Sequence, residues 1–302
     1  MTDHALPYRP PYDWPRLAAF LTDHASPGVE TVTDGVYSRT FRFSDRFGTL
    51  RVVPALDAPA LLVRFQAPGL DDAARDAVLA QLRTMFDSEA DPAAIAAGLS
   101  DDPYMADLVR RRPGLRMPGA FDPFELTVRA ILGQQVSVAA ATRLAGRLVA
   151  AFGTPLPTEA AAPSLTHAFP EPAQLVAADV SLVLNMPRAR GRAIQGLAAA
   201  CLDAPDLFAP GPDLETSVAR LTALPGIGPW TAHYVAMRAL RQADAFPPAD
   251  IGLMRALDSG TGRPSRAGLL ARAEAWRPWR AYAALHLWAE DAHRRGATTL
   301  PA

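Results

Sequence analysis

The stretch LPGIGPWTAHYVA, residues 224–236, decides the fold, because it places two glycines and a proline between two helical patterns. TSVARLTA, residues 216–223, predicts a helix that ends near Leu224, and PWTAHYVAMRAL starts another helix directly after PGIG. Pro229 suits the first turn of that helix, since its missing amide hydrogen has no intrahelical partner there. Residues 216–240 are therefore predicted to form a helix–hairpin–helix.

Such a hairpin can bind an anion without a basic side chain. Gly226 and Gly228 permit backbone conformations and close approaches that a side chain would block. The backbone amides of the turn and the positive end of the following helix dipole point outward together, which favours a phosphate. A plain helix-to-helix turn is the alternative interpretation of PGIG taken alone.

A carboxylate follows the hairpin at a helix start. One helix separates the hairpin from the bend AFPPAD, residues 245–250, and IGLMRAL then begins another helix, so Asp250 lies 22 residues after Gly228. A carboxylate there faces the same cleft as the hairpin. It is also an ordinary helix cap, and the two roles are compatible.

The first hundred residues have a different pattern from the rest of the chain. Residues 29–66 alternate as strands do, with SDRFG as a turn, and predict an antiparallel meander. GLDDAARDAVLAQLRTMFD then predicts a helix capped by Asp71 or Asp72, with a buried face of Val78, Leu79, Leu82, Met85 and Phe86.

Helical patterns dominate the remainder. FDPFELTVRAILG has Asp122 as a cap, with Glu125 completing a capping-box pattern, and the next helix runs between Ser137 and Gly153. We therefore predict an α+β chain with a small N-terminal antiparallel-sheet domain over residues 1–98 and an all-helical core over residues 99–302.

Composition narrows the class of protein. A chain of 302 residues with 49% hydrophobic and 20% charged residues can bury a core, and it has neither a membrane-spanning run nor a signal-peptide pattern, which predicts a cytoplasmic protein. Cys201 is the single cysteine, too few for an internal disulfide or a four-cysteine metal or iron–sulfur site. All 30 basic residues are arginine. Residues 1–100 carry nine arginines and 13 acidic residues, whereas residues 101–302 carry 21 arginines and 18 acidic residues. Residues 101–302 are therefore the better candidate for binding an anion.

Together these motifs resemble a known family. LPGIGPWTAHYVA followed by FPPAD, with AILGQQVSVAAATRLAGRL about ninety residues earlier and PPYDW near the N-terminus, is similar to the bacterial 3-methyladenine DNA glycosylase II family of the helix–hairpin–helix DNA glycosylase superfamily. The likeness runs almost end to end. It implies helical domains that clasp double-stranded DNA. It also implies excision of alkylated bases, such as 3-methyladenine and 7-methylguanine, in base excision repair.

The resemblance also implies roles for particular residues. Asp250 matches the catalytic aspartate, which could stabilise a developing oxocarbenium ion or act on the attacking water. Gln135 matches the wedge that holds the gap open after base flipping. Further matched positions are the aromatic base pocket, Trp230, Tyr234 and Trp288 with Phe20 as a weaker candidate, and the DNA-binding hairpin, Gly226, Ile227, Gly228 and Thr231. Two departures are Ala249, in place of a second acid, and Ala289, in place of a tyrosine.

The chemistry predicted from these residues is monofunctional. Trp230 occupies the position of the lysine nucleophile of strand-cleaving relatives, and a Schiff base needs an amine that no side chain here supplies. We expect a monomer with no metal ligands, no membrane partner, no required cofactor and no iron–sulfur cluster, although the resemblance allows a monovalent cation at the hairpin. The alternative function is a non-catalytic helix–hairpin–helix module that binds DNA, which would be favoured if Asp250 were dispensable.

Overall fold

A five-stranded antiparallel sheet forms the N-terminal part of the computed structural model, which describes residues 3–44, 46–260 and 262–296. The predicted meander is confirmed, because β2 to β5 pair in succession, and β1 adds to the outer edge of β5 in the order β1-β5-β4-β3-β2. Part of the predicted SDRFG turn, Asp45, lies outside the described residues. The strands are β1 (Asp3–Pro7), β2 (Glu30–Thr33), β3 (Val36–Phe43), β4 (Arg46–Pro54) and β5 (Ala60–Gln66).

Strand β1 had no sequence signal of its own. Its five residues, DHALP, end in proline and show no alternation of apolar and polar side chains long enough to predict a strand. Pairing with β5 and burial of Leu6 hold it in place. The tertiary partner therefore decides this strand.

Helices make up most of the remaining chain. They are α1 (Trp14–His24), α2 (Asp72–Met85), α3 (Pro92–Leu99), α4 (Pro103–Arg111), α5 (Pro123–Leu132), α6 (Val138–Phe152), α7 (Pro172–Leu175), α8 (Val180–Leu184), α9 (Arg188–Asp203), α10 (Leu214–Thr222), α11 (Pro229–Arg238), α12 (Ile251–Ala256), α13 (Arg266–Ala273) and α14 (Arg280–Arg294), with a 3₁₀ turn at Glu274–Trp276. None of the helices within the described ranges combines the length and the apolar character needed to cross a bilayer.

The helical part, which we predict from the sequence to be all-helical, also contains a pair of short strands. Two short strands, β6 (Thr154–Pro155) and β7 (His167–Ala168), pair antiparallel within the proline-rich segment between α6 and α7. Prolines there remove amide donors that a helix would need. The hydroxyl of Thr40 on β3 donates to the carbonyl of His167 at 2.8 Å, so this segment also joins the main sheet.

The sheet and the helices share one hydrophobic core. The buried residues Leu50 of β4, Tyr234 of α11 and Trp276 of the 3₁₀ turn belong to the same cluster. A second cluster surrounds α9 and contains Ile227. The predicted boundary at residues 98–99 falls inside α3, where the described structure shows no break in the core.

Helix caps agree with the sequence patterns with one exception. Asp71 caps α2, and Ser137 and Gly153 bound α6 as predicted. Asp122 accepts from the Glu125 amide at 2.7 Å, but the Glu125 side chain does not complete the predicted capping box. Glu125 instead accepts hydrogen bonds from arginines of β3 and α5, because a buried carboxylate is stabilised more by cations than by one backbone amide.

A buried ion-pair network ties the sheet to α5. Arg39 on β3 donates to Glu125 at 2.8 Å, and Arg129 on α5 donates to Glu30 on β2 at 2.8 Å. Burial alone would raise the pKa of Glu30, but the facing guanidinium groups of Arg129 and Arg39 lower it below its ordinary value. The sheet therefore stays attached to the helical part through charged as well as apolar contacts.

Candidate active site

The hairpin lies between α10 and α11, as predicted, and its two glycines differ. Gly226 has φ +81°, and a Cβ there would lie 2.5 Å from the Cβ of Ala193 on α9, so the position needs glycine for the fold itself. Gly228 has φ −84°, and a Cβ there would meet no described atom within 4 Å. Its glycine therefore leaves open space for a ligand.

Backbone amides at the start of α11 have no side-chain cap. Gly228 is the N-cap and Pro229 the first helical residue, so the next amides in the first turn have no intrahelical acceptor. The side chains of Ile227 and Thr231 are each only 4% exposed, and the Ile227 amide already donates to the Leu224 carbonyl at 3.1 Å. A phosphate at the hairpin would thus contact backbone and not these two side chains.

Asp250 lies between two tryptophans at the start of α12. Its Oδ2 accepts a hydrogen bond from Trp230 Nε1 at 2.7 Å, and its Oδ1 accepts from Trp288 Nε1 at 3.1 Å. Oδ1 also accepts from the Leu253 amide at 2.9 Å, which is the predicted cap. Ala249, with φ +62°, turns the chain just before the carboxylate. One residue therefore both caps the helix and joins α11 to α14.

The predicted aromatic residues are only partly brought together. Trp230 and Tyr234 stack with ring centroids 5.1 Å apart, and Trp288 is packed behind Asp250 with 4% of its surface exposed. Phe20 stacks on His24 at 3.9 Å, and the guanidinium of Arg238 lies between the rings of Phe20 and Tyr234. Ala289, where a tyrosine was expected, is fully buried.

A cavity adjoins the stacked rings of Trp230 and Tyr234. Phe20 does not line it, but two residues that contact Phe20 do, His24 and Arg238. Four helices form the wall, α1, α5, α6 and α11, and the lining residues include Arg129, Ala130, Gly133, Val138, Ala141 and Thr142. The cavity therefore has one aromatic side and one side with polar groups.

Sequence reasoning missed the polar side of this cavity. His24 Nδ1 donates to the Phe20 carbonyl at 2.8 Å, and its buried Nε2 has no partner among the described residues. Burial, followed by the nearby charge of Arg238, lowers the pKa of His24 to about 3, so the ring is neutral near pH 7. Arg238 packs over the rings of Phe20 and Tyr234. The only sequence signal was the spacing of four residues within the pairs Phe20–His24 and Tyr234–Arg238.

The loop between α5 and α6, residues 133–137, carries the predicted wedge. Gln135 is exposed and has φ +59°, and Val136 beside it is 38% exposed. The preceding Gln134 points toward the hairpin, and its Nε2 donates to the Gly226 carbonyl at 2.9 Å. Gln134 was not predicted, since only the doublet QQ marks it in the sequence.

Two family models together match most of the chain. The AlkA N-terminal domain model matches residues 4–122, and the HhH-GPD superfamily base excision DNA repair protein model matches residues 128–280. The chain belongs to the HhH-GPD superfamily of base excision DNA repair proteins.

Two curated relatives and one solved structure illustrate the likeness. DNA-3-methyladenine glycosylase 2 of Escherichia coli is 36% identical over 94% of this chain and 96% of its own length. The probable bifunctional transcriptional activator/DNA repair enzyme AlkA of Mycobacterium tuberculosis is 42% identical over 95% of this chain, which spans 57% of that relative's length. A 3-methyladenine DNA-glycosylase structure from Archaeoglobus fulgidus shares the fold, with a TM-score of 0.80 at 22% identity, covering 95% of this chain and 98% of that one.

Proposed function

We propose that the protein is a monofunctional DNA glycosylase, which flips alkylated bases out of double-stranded DNA and hydrolyses their N-glycosidic bonds in base excision repair. The observation that carries the proposal is the Asp250 carboxylate, which is held by the indole N–H groups of Trp230 and Trp288. The likeness to the E. coli DNA-3-methyladenine glycosylase 2 supports 3-methyladenine as a substrate, with 7-methylguanine as a second.

The electrostatics of Asp250 suit this reaction. Among the described residues Asp250 forms hydrogen bonds but no ion pair, because the adjacent Arg255 pairs with Asp291 instead. Its negative charge is therefore available to the sugar, which becomes positively charged as the base departs. The same carboxylate could orient or deprotonate the attacking water.

The leaving base also fits the aromatic side of the cavity. An alkylated purine carries a positive charge in DNA and is a good leaving group. The stacked faces of Trp230 and Tyr234 would attract such a cation and offer a surface for the flipped ring. Gln135 on the exposed loop would take the place left in the duplex.

The proposed DNA contacts are made by backbone more than by charge. The uncapped first turn of α11 and the open space at Gly228 favour a phosphate there. We propose a monomer that needs no cofactor for the chemistry. A monovalent cation at the hairpin would have to share carbonyls that already accept hydrogen bonds, since Leu224 accepts from Ile227 and Gly226 accepts from Gln134.

The absence of lyase activity is part of the proposal. Strand cleavage through a Schiff base requires an amine nucleophile, and the sequence contains no lysine. Trp230 stands at the corresponding position, where its indole nitrogen donates to Asp250. The expected product is an intact strand with an abasic site.

Base-release analysis on methylated duplex DNA tests the proposal. The protein should release free 3-methyladenine and 7-methylguanine, which chromatography separates from the DNA. Binding to abasic-site DNA without release of either base would instead support the non-catalytic DNA-binding module.

A further inference from the structure

One side chain links the exposed α5–α6 loop to the hairpin. Gln134 Nε2 donates to the Gly226 carbonyl at 2.9 Å and lies 3.4 Å from the hydroxyl of Thr231 in the first turn of α11. The two segments are 92 residues apart in sequence. The contact therefore joins two surfaces to which we assign different tasks, phosphate binding and insertion into the duplex.

Helix α9 braces the same junction. Arg190 Nη2 donates to the Gln134 carbonyl at 2.6 Å, and Ala193, one turn later, is the residue against which Gly226 packs. The loop, the hairpin and the start of α9 thus meet around Gln134. A shift of the hairpin must be transmitted to the loop or break one of these contacts.

One hydrogen bond to Gln134 falls on the peptide group that orients Gln135. The Gln134 carbonyl belongs to the peptide bond between the two glutamines, and Gln135 has a left-handed φ of +59° that a residue with a Cβ adopts at a cost. Surrounding contacts must hold such a residue in place. Gln134 is fixed on its side chain by the hairpin and on its carbonyl by Arg190, and so keeps Gln135 and Val136 exposed.

We propose that Gln134 is a positioning residue that couples phosphate binding at the hairpin to insertion of the α5–α6 loop. The proposal rests on the proposed function, because it assigns the loop to the gap left by a flipped base. Gln134 needs no contact with the damaged base. Gln134 holds the α5–α6 loop in the conformation that inserts into the duplex when the hairpin is bound to the DNA backbone.

The variant Gln134→Met tests this, since methionine keeps the length of the side chain but cannot donate to Gly226. Gln195→Met is the matched control, because Gln195 Nε2 donates to the Ala178 carbonyl at the same 2.9 Å, and Gln195 lies about 200° around α9 from Ala193, on the face away from the hairpin. The readouts are the melting midpoint, the affinity for undamaged duplex, the fluorescence of 2-aminopurine next to the lesion as a measure of extrusion, and single-turnover base release.

We expect Gln134→Met to reduce extrusion and base release about fivefold to tenfold, the effect of losing one ordinary hydrogen bond. Affinity for undamaged duplex should stay within about twofold of the Gln195→Met control. Thr231→Val, which removes the weaker acceptor, should reduce extrusion in the same direction by less, and it keeps the test valid if Gln134→Met does not fold.

Two results would overturn the coupling. One is extrusion by both junction variants equal to that of the control, and the other is a loss of undamaged-duplex affinity as large as the loss of extrusion, which would mean that Gln134 only shapes the hairpin. Extrusion does not require bond cleavage. A protein that extrudes the lesion normally, as the neighbouring 2-aminopurine reports, but releases no base would therefore contradict the proposed function and leave the coupling intact.

Discussion

At the residue scale, substitution of Asp250 distinguishes the proposed enzyme from a non-catalytic DNA-binding module. Asp250→Asn removes the charge while keeping nearly the same shape, and we expect single-turnover release of 3-methyladenine to fall by about a hundredfold or more. Affinity for abasic-site DNA should change little, because the hairpin does not involve this carboxylate. Near-normal release by a folded Asp250→Asn variant would show that the residue is only the cap of α12.

The control for this variant must account for lost hydrogen bonds. Asparagine has one acceptor oxygen where the two oxygens of Asp250 accept from Trp230, Trp288 and Leu253, so one indole N–H loses its partner, at a cost of about 1–3 kcal/mol. Asp71→Asn changes a cap of the same kind on α2, a helix that contributes no residue to the cavity lining. It should leave base release unaltered, and both variants should be compared below their melting midpoints.

The missing lysine gives a prediction of its own. Incubation with methylated DNA and borohydride should trap no covalent protein–DNA adduct, because a Schiff base needs an amine and no side chain of this sequence offers one. Gel electrophoresis of the reaction checks this. Efficient trapping would contradict the monofunctional assignment, and the α-amino group of the chain would then be the nucleophile to examine.

At the scale of elements, the two hairpin glycines should respond in opposite ways. Gly228→Ala places a methyl group in open space at an ordinary φ, and the weaker N-cap is offset by the lower conformational entropy of the unfolded chain, so the free energy of unfolding should change by less than about 1 kcal/mol. DNA affinity should fall about tenfold for all sequences alike, since the methyl group displaces the phosphate from charge-assisted amide contacts. Fluorescence anisotropy with abasic-site DNA measures this loss.

Gly226→Ala is the partner variant. Its left-handed φ costs about 1–2 kcal/mol for alanine, and the clash with Ala193 adds to that, so the melting midpoint should drop. Unchanged affinity for abasic-site DNA in Gly228→Ala, with the fold intact, would contradict phosphate binding at the hairpin.

Local signals made some of these elements predictable and not others. The hairpin, the caps Asp71, Asp122 and Ser137, and Asp250 at a helix start follow from residues within one or two turns of each other. Nothing within α1 indicates that Phe20 would pack against Arg238, more than two hundred residues later.

Contacts between residues that are distant in sequence also explain the other features that the sequence analysis missed. The side chain of Glu125 accepts from Arg39, 86 residues earlier, and strand β1 forms because β5 is there to pair with it. Gln134 meets Gly226 only because α9 brings the loop and the hairpin together. These contacts depend on chain topology, which periodicity and capping patterns do not contain.

At the scale of the whole molecule, buried histidines set the stability in mild acid. Burial, aided by nearby arginines, lowers the pKa of both His24 and His286 to about 3, and it also lowers that of His233. Below about pH 6.5 the unfolded chain binds protons at His24 and His286 and the folded protein does not. The free energy of unfolding should therefore fall as the pH decreases from 6.5, by about 1.4 kcal/mol per pH unit for each of these two histidines.

Urea unfolding at pH 7.0, 6.0 and 5.0 measures this slope. His286 is 4% exposed and its Nδ1 has no described partner. The variant His286→Leu should therefore bind about one proton fewer on unfolding, which reduces the slope of the free energy of unfolding against pH. The carboxylates with lowered pKa, among them Glu30 and Glu290, contribute only below about pH 4.5. Burial raises the pKa of Asp122, which works against the histidines wherever that carboxyl titrates, so the difference between His286→Leu and the unmodified protein isolates the contribution of the histidine. An equal slope in the variant and the unmodified protein would show that His286 does not titrate differently on unfolding.

The shared core has a consequence for how the chain can be divided. The two family models meet between residues 122 and 128, at the start of α5, while Arg129 and Glu30 pair across that junction and one apolar cluster extends over both sides of it. The two parts therefore match separate family models but share one core, so they are not separate units of folding. Cleavage of the chain there, or expression of the two parts as separate chains, would expose two complementary apolar surfaces. Each fragment would then need the other in order to stay in solution.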